Sequence, residues 1–334
     1  SSQSGAKTSN GTNNYVVDVI NSRSSWITLS GLPSTGTFDL SGGSNSSANL
    51  GNIQDCYDKL ANKDDFQIDF LISPETHMES PTLPIKMIEI ATQRKDCVAV
   101  ISLPVNQSLP LDEVSYALPN SSYAFVVQAS LKVYDKYNDK YVTISAAAST
   151  AGIMASSDSV SAPWFSPAGS RRGVYLGVTE LIDNPSKTER DTMYKNGVNP
   201  IISVPGQGIM LFGDKTYLKR PSAFDRINVR RLFLVIERAI SQAGENVMFE
   251  FNDEFTRAEF VNIVEPFLRE VQGRRGISDF RVVCDETNNT PTVVDRNEFV
   301  ASVFIKPARS INYVTLNFVA VRTGVEFEEV VGTV

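Results

Sequence analysis

An α+β chain is expected from this sequence: helices packed on a mainly antiparallel sheet in the C-terminal part, preceded by an α/β region with βαβ units. Three observations predict it. Between residues 50 and 103, strand-length apolar runs such as FQIDFLIS (66–73) and CVAVISL (97–103) alternate with segments of helical periodicity, the rhythm of parallel strands joined by crossover helices. Two long amphipathic helices follow at 225–243 and 256–272. After them the chain reads as successive strands.

From the N-terminus, YVVDVI (15–20) and WITL (26–29) are β-branched or aromatic and read as strands. Residues 30–49 form a loop with four glycines and many serines. Ile53, Cys56, Tyr57 and Leu60 recur at helical spacing. A strand at 66–73 follows, then a helix opened by Pro84 with Ile85, Ile88 and Ala91 on one side, then a buried strand at 97–103. Tyr123–Tyr134 reads as one further strand leading into the turn DKYNDKY (135–141). The small residues 146–157 are helix-compatible. The irregular run APWFSPAGSRRG (162–173) then marks a boundary, dividing the chain into 1–160 and 161–334.

Beyond it, Ser186 and Glu189 form a capping-box pattern. IISV (201–204) and GIMLFG (208–213) are strand candidates. The helix at 225–243 carries Val229, Leu232, Phe233, Ile236, Ala239 and Ile240 on one broad face. Thr256 and Glu259 are the expected cap of the next helix, with Phe260, Val264, Phe267, Leu268 and Val271 inward. Pro266 should kink it, and Gly273 and Gly276 should end it. Strands follow at 280–284, 299–306 and 312–322. In the last segment, 325–334, Val325 and Phe327 alternate with glutamates. This strand-like arm has no later mate, so it either finishes its own sheet or pairs with a neighbour's edge.

The length of 334 residues suits two domains, or one with a large insertion. The net charge of −7 argues against an electrostatic grip on nucleic acid, which needs a basic footprint. Cys56, Cys97 and Cys284 are too far apart to suggest a metal site or a disulfide framework. Cys97 and Cys284 border apolar runs and read as buried. His77 is the single histidine, in a Pro- and Ser-rich segment, so sites built on several histidines are impossible. The longest nearly uncharged stretch, 141–170, is interrupted by Asp158, Pro163 and Pro167 and does not read as a membrane span.

No cofactor is expected. The segment 208–216 (GIMLFGDKT) resembles a phosphate-binding loop, but Asp214 stands where the lysine should directly follow the second glycine. The loop 285–291 (DETNNTP) is rich in carboxylates and amides without regular ligand spacing, and it reads as an ordinary turn. Arg226, Arg230 and Arg231, with Glu237, line the polar side of the helix at 225–243. Spacing leaves two readings open: a solvated, salt-bridged face, or a subunit-docking face built on Arg–carboxylate pairs.

Several motifs occur in a telling order: APWFSPAG (162–169), VNP (198–200), PGQG (205–208), RINVRRL (226–232) and VMFEFNDEFT (247–256). Together they resemble the contractile bacteriophage tail sheath proteins of T4-like phages, from about residue 163 to the end. DDFQIDFLISPE (64–75) with CVAVISLP (97–104) is similar to the family's preceding α/β region, more loosely. The Asp214-Lys215 pair departs from the family pattern at that strand end.

The resemblance implies a structural subunit, not an enzyme. Subunits would stack as hexameric rings around a tail tube and contract to drive the tube through the host envelope for genome ejection. It implies an outer inserted region to about residue 160 and a polymerising core from 161, with a C-terminal arm at 324–334. Val325, Phe327 and Val330 would donate a strand to a neighbour, and Arg226, Arg230, Arg231 and Glu237 would serve charged docking. Partners would be further copies of the chain, the tube, the baseplate and the tail terminator, without direct nucleic-acid contact or membrane insertion. The location would be the virion, after assembly in host cytoplasm. The family's N-terminal arm and first core strands are not recognised before Ser1. The chain is therefore expected to be a C-terminal fragment that stays mostly monomeric by itself. Rival readings are the sheath of a contractile bacteriocin or secretion machine, a nucleotide-binding enzyme using 208–216, and receptor binding by the outer region's loops.

Overall fold

The computed structural model describes residues 5–12, 14–23, 29, 49–74, 81–103, 118–128 and 130–310. Contacts divide the chain into two units, Ser1–Ala48 and Asn49–Val334. In the first, the expected strand at 15–20 is instead the helix α1 (Val16–Arg23). Asp18 in its first turn and Arg23 in its last suit the helix dipole, and Val17 is its buried residue. Burial therefore does not alternate, as a half-buried strand requires. The Asn21 side chain bonds Leu29 in both directions, at 2.8 and 2.6 Å.

The second unit is built on a five-stranded sheet in the order β1-β2-β3-β7-β8. These strands are Phe70–Ile72, Val98–Leu103, Ala124–Gln128, Val198–Val204 and Gly208–Leu211. The first four pair in parallel and β8 closes the edge antiparallel. β1, α3 (Thr82–Arg94) and β2 form the anticipated βαβ unit. The helix at 53–60 appears as α2 (Leu50–Lys59), capped by Asn49.

Both faces of the sheet are covered, which is why its strands read as continuous apolar runs. In β2, Ala99, Ile101 and Leu103 pack towards α2 and α3. Val98 and Val100 face the opposite way, against α4 (Ala146–Val160) and Ile227. Cys97 is buried, as expected, and its thiol is pushed up to about 12 by desolvation. The sheet takes strands from both sides of residue 160, because β7 completes it beside β3.

The single strand expected over 123–134 is two. β3 belongs to the central sheet, whereas β4 (Ser130–Asp135) lies in a separate antiparallel sheet between β5 (Lys140–Ser145) and β6 (Val178–Leu181). The pattern changes at that junction: β3 is almost wholly buried, while β4 is mostly half-buried. The anticipated capping box of α5 (Lys187–Lys195) is present in both directions between Ser186 and Glu189.

Helices α6 (Ile227–Glu245) and α7 (Glu254–Gly273) share a third core with β9 (Ile277–Val283) and β10 (Ser302–Pro307), which pair antiparallel. Leu232, Ile236 and Ala243 of α6 meet Phe260, Val264 and Leu268 of α7 there. The cap of α7 is Asp253, not Thr256: its carboxylate accepts from the Thr256 amide at 2.9 Å. An acidic cap placed earlier in the chain satisfies an otherwise orphaned amide and lengthens the helix. The helix runs on through Pro266 to Gly273. The 285–291 segment is a turn with a short helix, α8 (Pro291–Asp295). Its amides hold local backbone, for example Asn289 to Val300 at 2.8 and 2.9 Å. The expected strand at 312–322 and His77 lie outside the described residues.

One tight turn in 162–173 makes a clear stability prediction. A Cβ on Gly173 would sit 2.8 Å from the Pro167 carbonyl oxygen and 2.9 Å from both Gly169 N and O. All three are backbone atoms that cannot swing aside. Gly173→Ala is expected to cost about 1–3 kcal/mol, read as a lower urea midpoint. The control is Gly152→Ala in α4, where a Cβ meets nothing within 4 Å; it should be neutral or stabilising by up to about 1 kcal/mol.

Candidate functional site

The α6–α7 hairpin ends in a broad groove of about 1110 Å³ beside the N-terminus of α6 and the C-terminus of α7. Trp164, Phe165, Phe212 and Ile277 give it an apolar floor, and Arg171, Arg190, Arg275 and Arg309 are among its cationic walls. Trp164 is fixed by its indole, which donates to the Arg274 carbonyl at 3.0 Å. Gly276 lies close beneath, where a Cβ would come within 3.1 Å of the Trp164 ring.

Asp214 is the polar anchor of this groove. It is buried and accepts from Ser166 Oγ at 3.1 Å, Tyr194 OH at 3.1 Å and Ser310 Oγ at 2.7 Å. Arg226, the residue capping α6, completes the set with an ion pair at 3.1 Å and a hydrogen bond to Tyr194 OH. Burial and the adjacent Asp214 carboxylate hold the Tyr194 hydroxyl well above its ordinary pKa, so it stays protonated as a donor.

The neighbouring Lys215 donates to the Tyr194 carbonyl at 2.8 Å and lies over its ring. Burial and Arg226 lower its pKa. Asn199, fully buried in β7, binds both sides of the Lys215 peptide. Gly213 must be glycine, because a Cβ would come 2.6 Å from Asn199 Oδ1. The 208–216 segment is thus a strand ending in a tightly bracketed turn, with its lysine turned to a carbonyl.

The helix candidates part company. Arg230 is buried: its guanidinium donates to Ser122 Oγ at 2.6 Å and is sandwiched between Tyr123 and Phe224, 4.2 and 4.0 Å from their rings. Arg231 is buried against α4, ion-paired to Asp158. Placing these two on an outward polar face is an expectation that the fold corrects. A planar guanidinium can stack on rings and pair with a carboxylate, so arginine is tolerated inside where periodicity alone marks it as surface. Glu237 is exposed, and desolvation raises its pKa while Arg230 and Lys95 oppose that shift. Arg238 reaches Asp69 at 2.9 Å, tying α6 to the approach of β1. Val325, Phe327 and Val330 lie outside the described residues.

Two family models match the chain: the phage tail sheath protein central domain over residues 52–217, and the phage tail sheath C-terminal domain over residues 219–320. The chain belongs to the phage tail sheath family. It is 39% identical to the tail sheath protein of Vibrio phage KVP40 over 328 residues, covering 89% of this chain and 48% of that one. With the tail sheath protein of Enterobacteria phage T4 the identity is 38% over 324 residues, with coverage of 89% and 49%. The chain thus spans about half the length of the curated relatives it matches. Its fold is similar to that in a cryo-EM structure of the anti-feeding prophage baseplate, with a TM-score of 0.71 at 19% identity over 83% of this chain and 75% of the other.

Three of the five motifs that carry the resemblance line the groove: APWFSPAG supplies much of its floor, VNP gives Pro200 and RINVRRL gives Asn228. Tyr194 and Arg190 are not singled out by the sequence, since a short, polar helix offers no apolar signal. Asp214 stands out there only as a departure from a phosphate-loop pattern.

Proposed function

We propose that this chain is a structural subunit of a contractile tail sheath, polymerising as stacked hexameric rings around a tail tube and contracting to drive that tube through a host envelope. Its place is then the virion, with assembly in host cytoplasm. Further copies, tube, baseplate and terminator are its partners. The observation that carries this reading is the pair of sheath-domain models together with relatives near 38% identity across most of the chain.

The division of labour stays part of the proposal: an outer region to about residue 160, and a polymerising core beyond it. The strands at 70–128 and 198–211 share one sheet, so those parts of the two regions are linked. Val325, Phe327 and Val330 donate a strand to a neighbouring subunit, an edge-pairing mode whose backbone hydrogen bonds supply the affinity. Arg226, Arg230 and Arg231 act from inside the subunit, holding the helix that shapes the groove; among the four helix candidates, Glu237 is the one exposed for docking. Work comes from interfaces that re-form, with no chemistry at Lys215.

The test compares the chain with a version ending at Thr323. Negative-stain microscopy and sedimentation should show the intact chain mostly monomeric when dilute but associating into short arcs as its concentration rises, and the truncation monomeric throughout. Monomers from both at every salt concentration would defeat strand donation by 324–334. A nucleotide-induced thermal shift abolished by Lys215→Ala would instead revive the enzyme reading.

A further inference from the structure

The two ends of the α6–α7 hairpin carry opposite chemistry. At the closed end, residues 246–256 hold three carboxylates, Glu250, Asp253 and Glu254, and no cation. Four large apolar side chains project there into solvent: Met248 is 57% exposed, Phe249 100%, Phe251 84% and Phe255 76%. Phe249 adopts a left-handed backbone at φ 71°, which is rare for a bulky residue. Contiguous exposed aromatics of this kind mark a contact surface. Their placement is supported locally. Asp253 caps α7, and Arg257 donates to Asn252 at 2.9 Å, so the tip is held from behind while its rings face outward.

The open end is the groove. It carries Arg171, Arg172, Lys187, Arg190, Arg275 and Arg309 against two carboxylates, Asp191 and the already engaged Asp214. Among the described residues none of those six cations has an ion-pair partner. Arg172 lies over Phe165 and Arg190 over Phe212, 5.2 and 5.6 Å from the rings. The groove therefore offers positive charge laid on aromatic surface, in a chain whose net charge is −7.

We infer that the acidic, aromatic tip of one copy docks in the basic groove of a second copy. The inference rests on the polymerising reading and names the surfaces that meet. Rings of the tip would cover Phe165 and Phe212, and the three carboxylates would meet the arginine walls in charge-assisted pairs. Tip and groove are separated by the length of α6, about 28 Å for 19 residues at 1.5 Å each. A knob at one end of a rigid hairpin and its complement at the other make a heterologous contact. Such contacts propagate from copy to copy into rings or helical filaments and do not close as a two-fold dimer.

Cross-linking between differently marked copies tests this. In a Cys56→Ser background, which removes the exposed cysteine, one copy carries Met248→Cys and the other Phe212→Cys. The mixture, treated with a short bis-maleimide, should give a cross-linked dimer at least tenfold above either copy alone. Adding Arg171→Glu and Arg309→Glu to the groove copy should remove it; both residues are exposed, so folding is spared. No dimer above the single-copy level, or a dimer indifferent to the charge reversals, overturns the docking. Sedimentation of the same samples reports separately whether copies associate, so a failed docking beside intact association leaves the polymerising reading standing.

Discussion

Asp158→Leu is expected to lower the free energy of unfolding by about 3–5 kcal/mol, the cost of stranding a buried charge. Its partner Arg231 shows 5% side-chain exposure, against 31% for Asp158. Guanidinium cannot shed its proton in a protein, so Arg231 without Asp158 stays charged among apolar neighbours such as Phe70. Arg231→Met should cost less, because the abandoned carboxyl can protonate. Burial already raises the pKa of Asp158, against the opposing pull of Arg231, and burial lowers that of Arg231. Both shifts say that the interior penalises the charged forms. Among the described residues, Asp158 Oδ1 and Arg231 Nη1 also find no hydrogen-bond partner. The double variant Asp158→Leu/Arg231→Met should therefore match or exceed the parent in denaturant midpoint. The pH response has an unusual sign. Because the folded state binds this proton more tightly than the unfolded chain, stability from Asp158 grows as pH falls through its raised pKa towards the ordinary carboxylate value, and fades as pH rises again. The deficit of Asp158→Leu should thus widen on mild acidification. A deficit that shrinks there, as for a surface ion pair, would contradict a desolvated Asp158.

The elements legible in the sequence are those with one dominant signal. The buried run at 97–103, the capping box at Ser186 and the amphipathic pattern of α6 each carry a single period or cap, and each lies within a few residues of its expected place. Competing signals mislead elsewhere. At 15–20 a β-branched composition masks a helix, and at 123–134 one apolar stretch hides a change of sheet at its middle. β5 and β6 alternate weakly on an exposed sheet, so hydrophobicity scarcely marks them. In the site, periodicity correctly puts Arg226, Arg230 and Arg231 opposite the apolar stripe of α6. It cannot reveal that Tyr123 and Asp158 come from remote segments to cover Arg230 and Arg231, with Phe224 closing over Arg230 from just before the helix. Polar clusters assembled across long sequence distances leave no local pattern. The groove, drawn from separated segments, is visible in the sequence only as motifs in order.

Asn199→Asp is expected to cost at least about 3 kcal/mol although it changes one side-chain atom, since each orphaned buried group costs about 1–3 kcal/mol and an unpaired charge adds to that. Asn199 Nδ2 donates to the Val126 carbonyl at 3.0 Å and to the Lys215 carbonyl at 2.8 Å, while Oδ1 accepts from the Lys215 amide at 2.9 Å. Aspartate keeps the acceptor but loses both donations, leaving two carbonyls facing a desolvated carboxylate. The damage should concentrate at the groove, since the Asn199 side chain ties the 213–215 turn to the paired strands β7 and β3. Lys215 and Tyr217 amides should exchange faster with solvent than those of α7, whose core is separate. Gly213 permits this bracket by lacking a Cβ, and Asp214 inherits its position from it. The grip of Asp214 on Ser166, Tyr194, Arg226 and Ser310 therefore depends on this amide together with the Ile227 amide, which donates to the Asp214 carbonyl at 2.8 Å. If Asn199→Asp unfolds at the parent's denaturant midpoint, that chain of dependence is broken. If it loosens the groove first, the groove is a local unit of stability that opens without global unfolding, and its shape can respond to whatever docks there while the sheet beneath stays fixed.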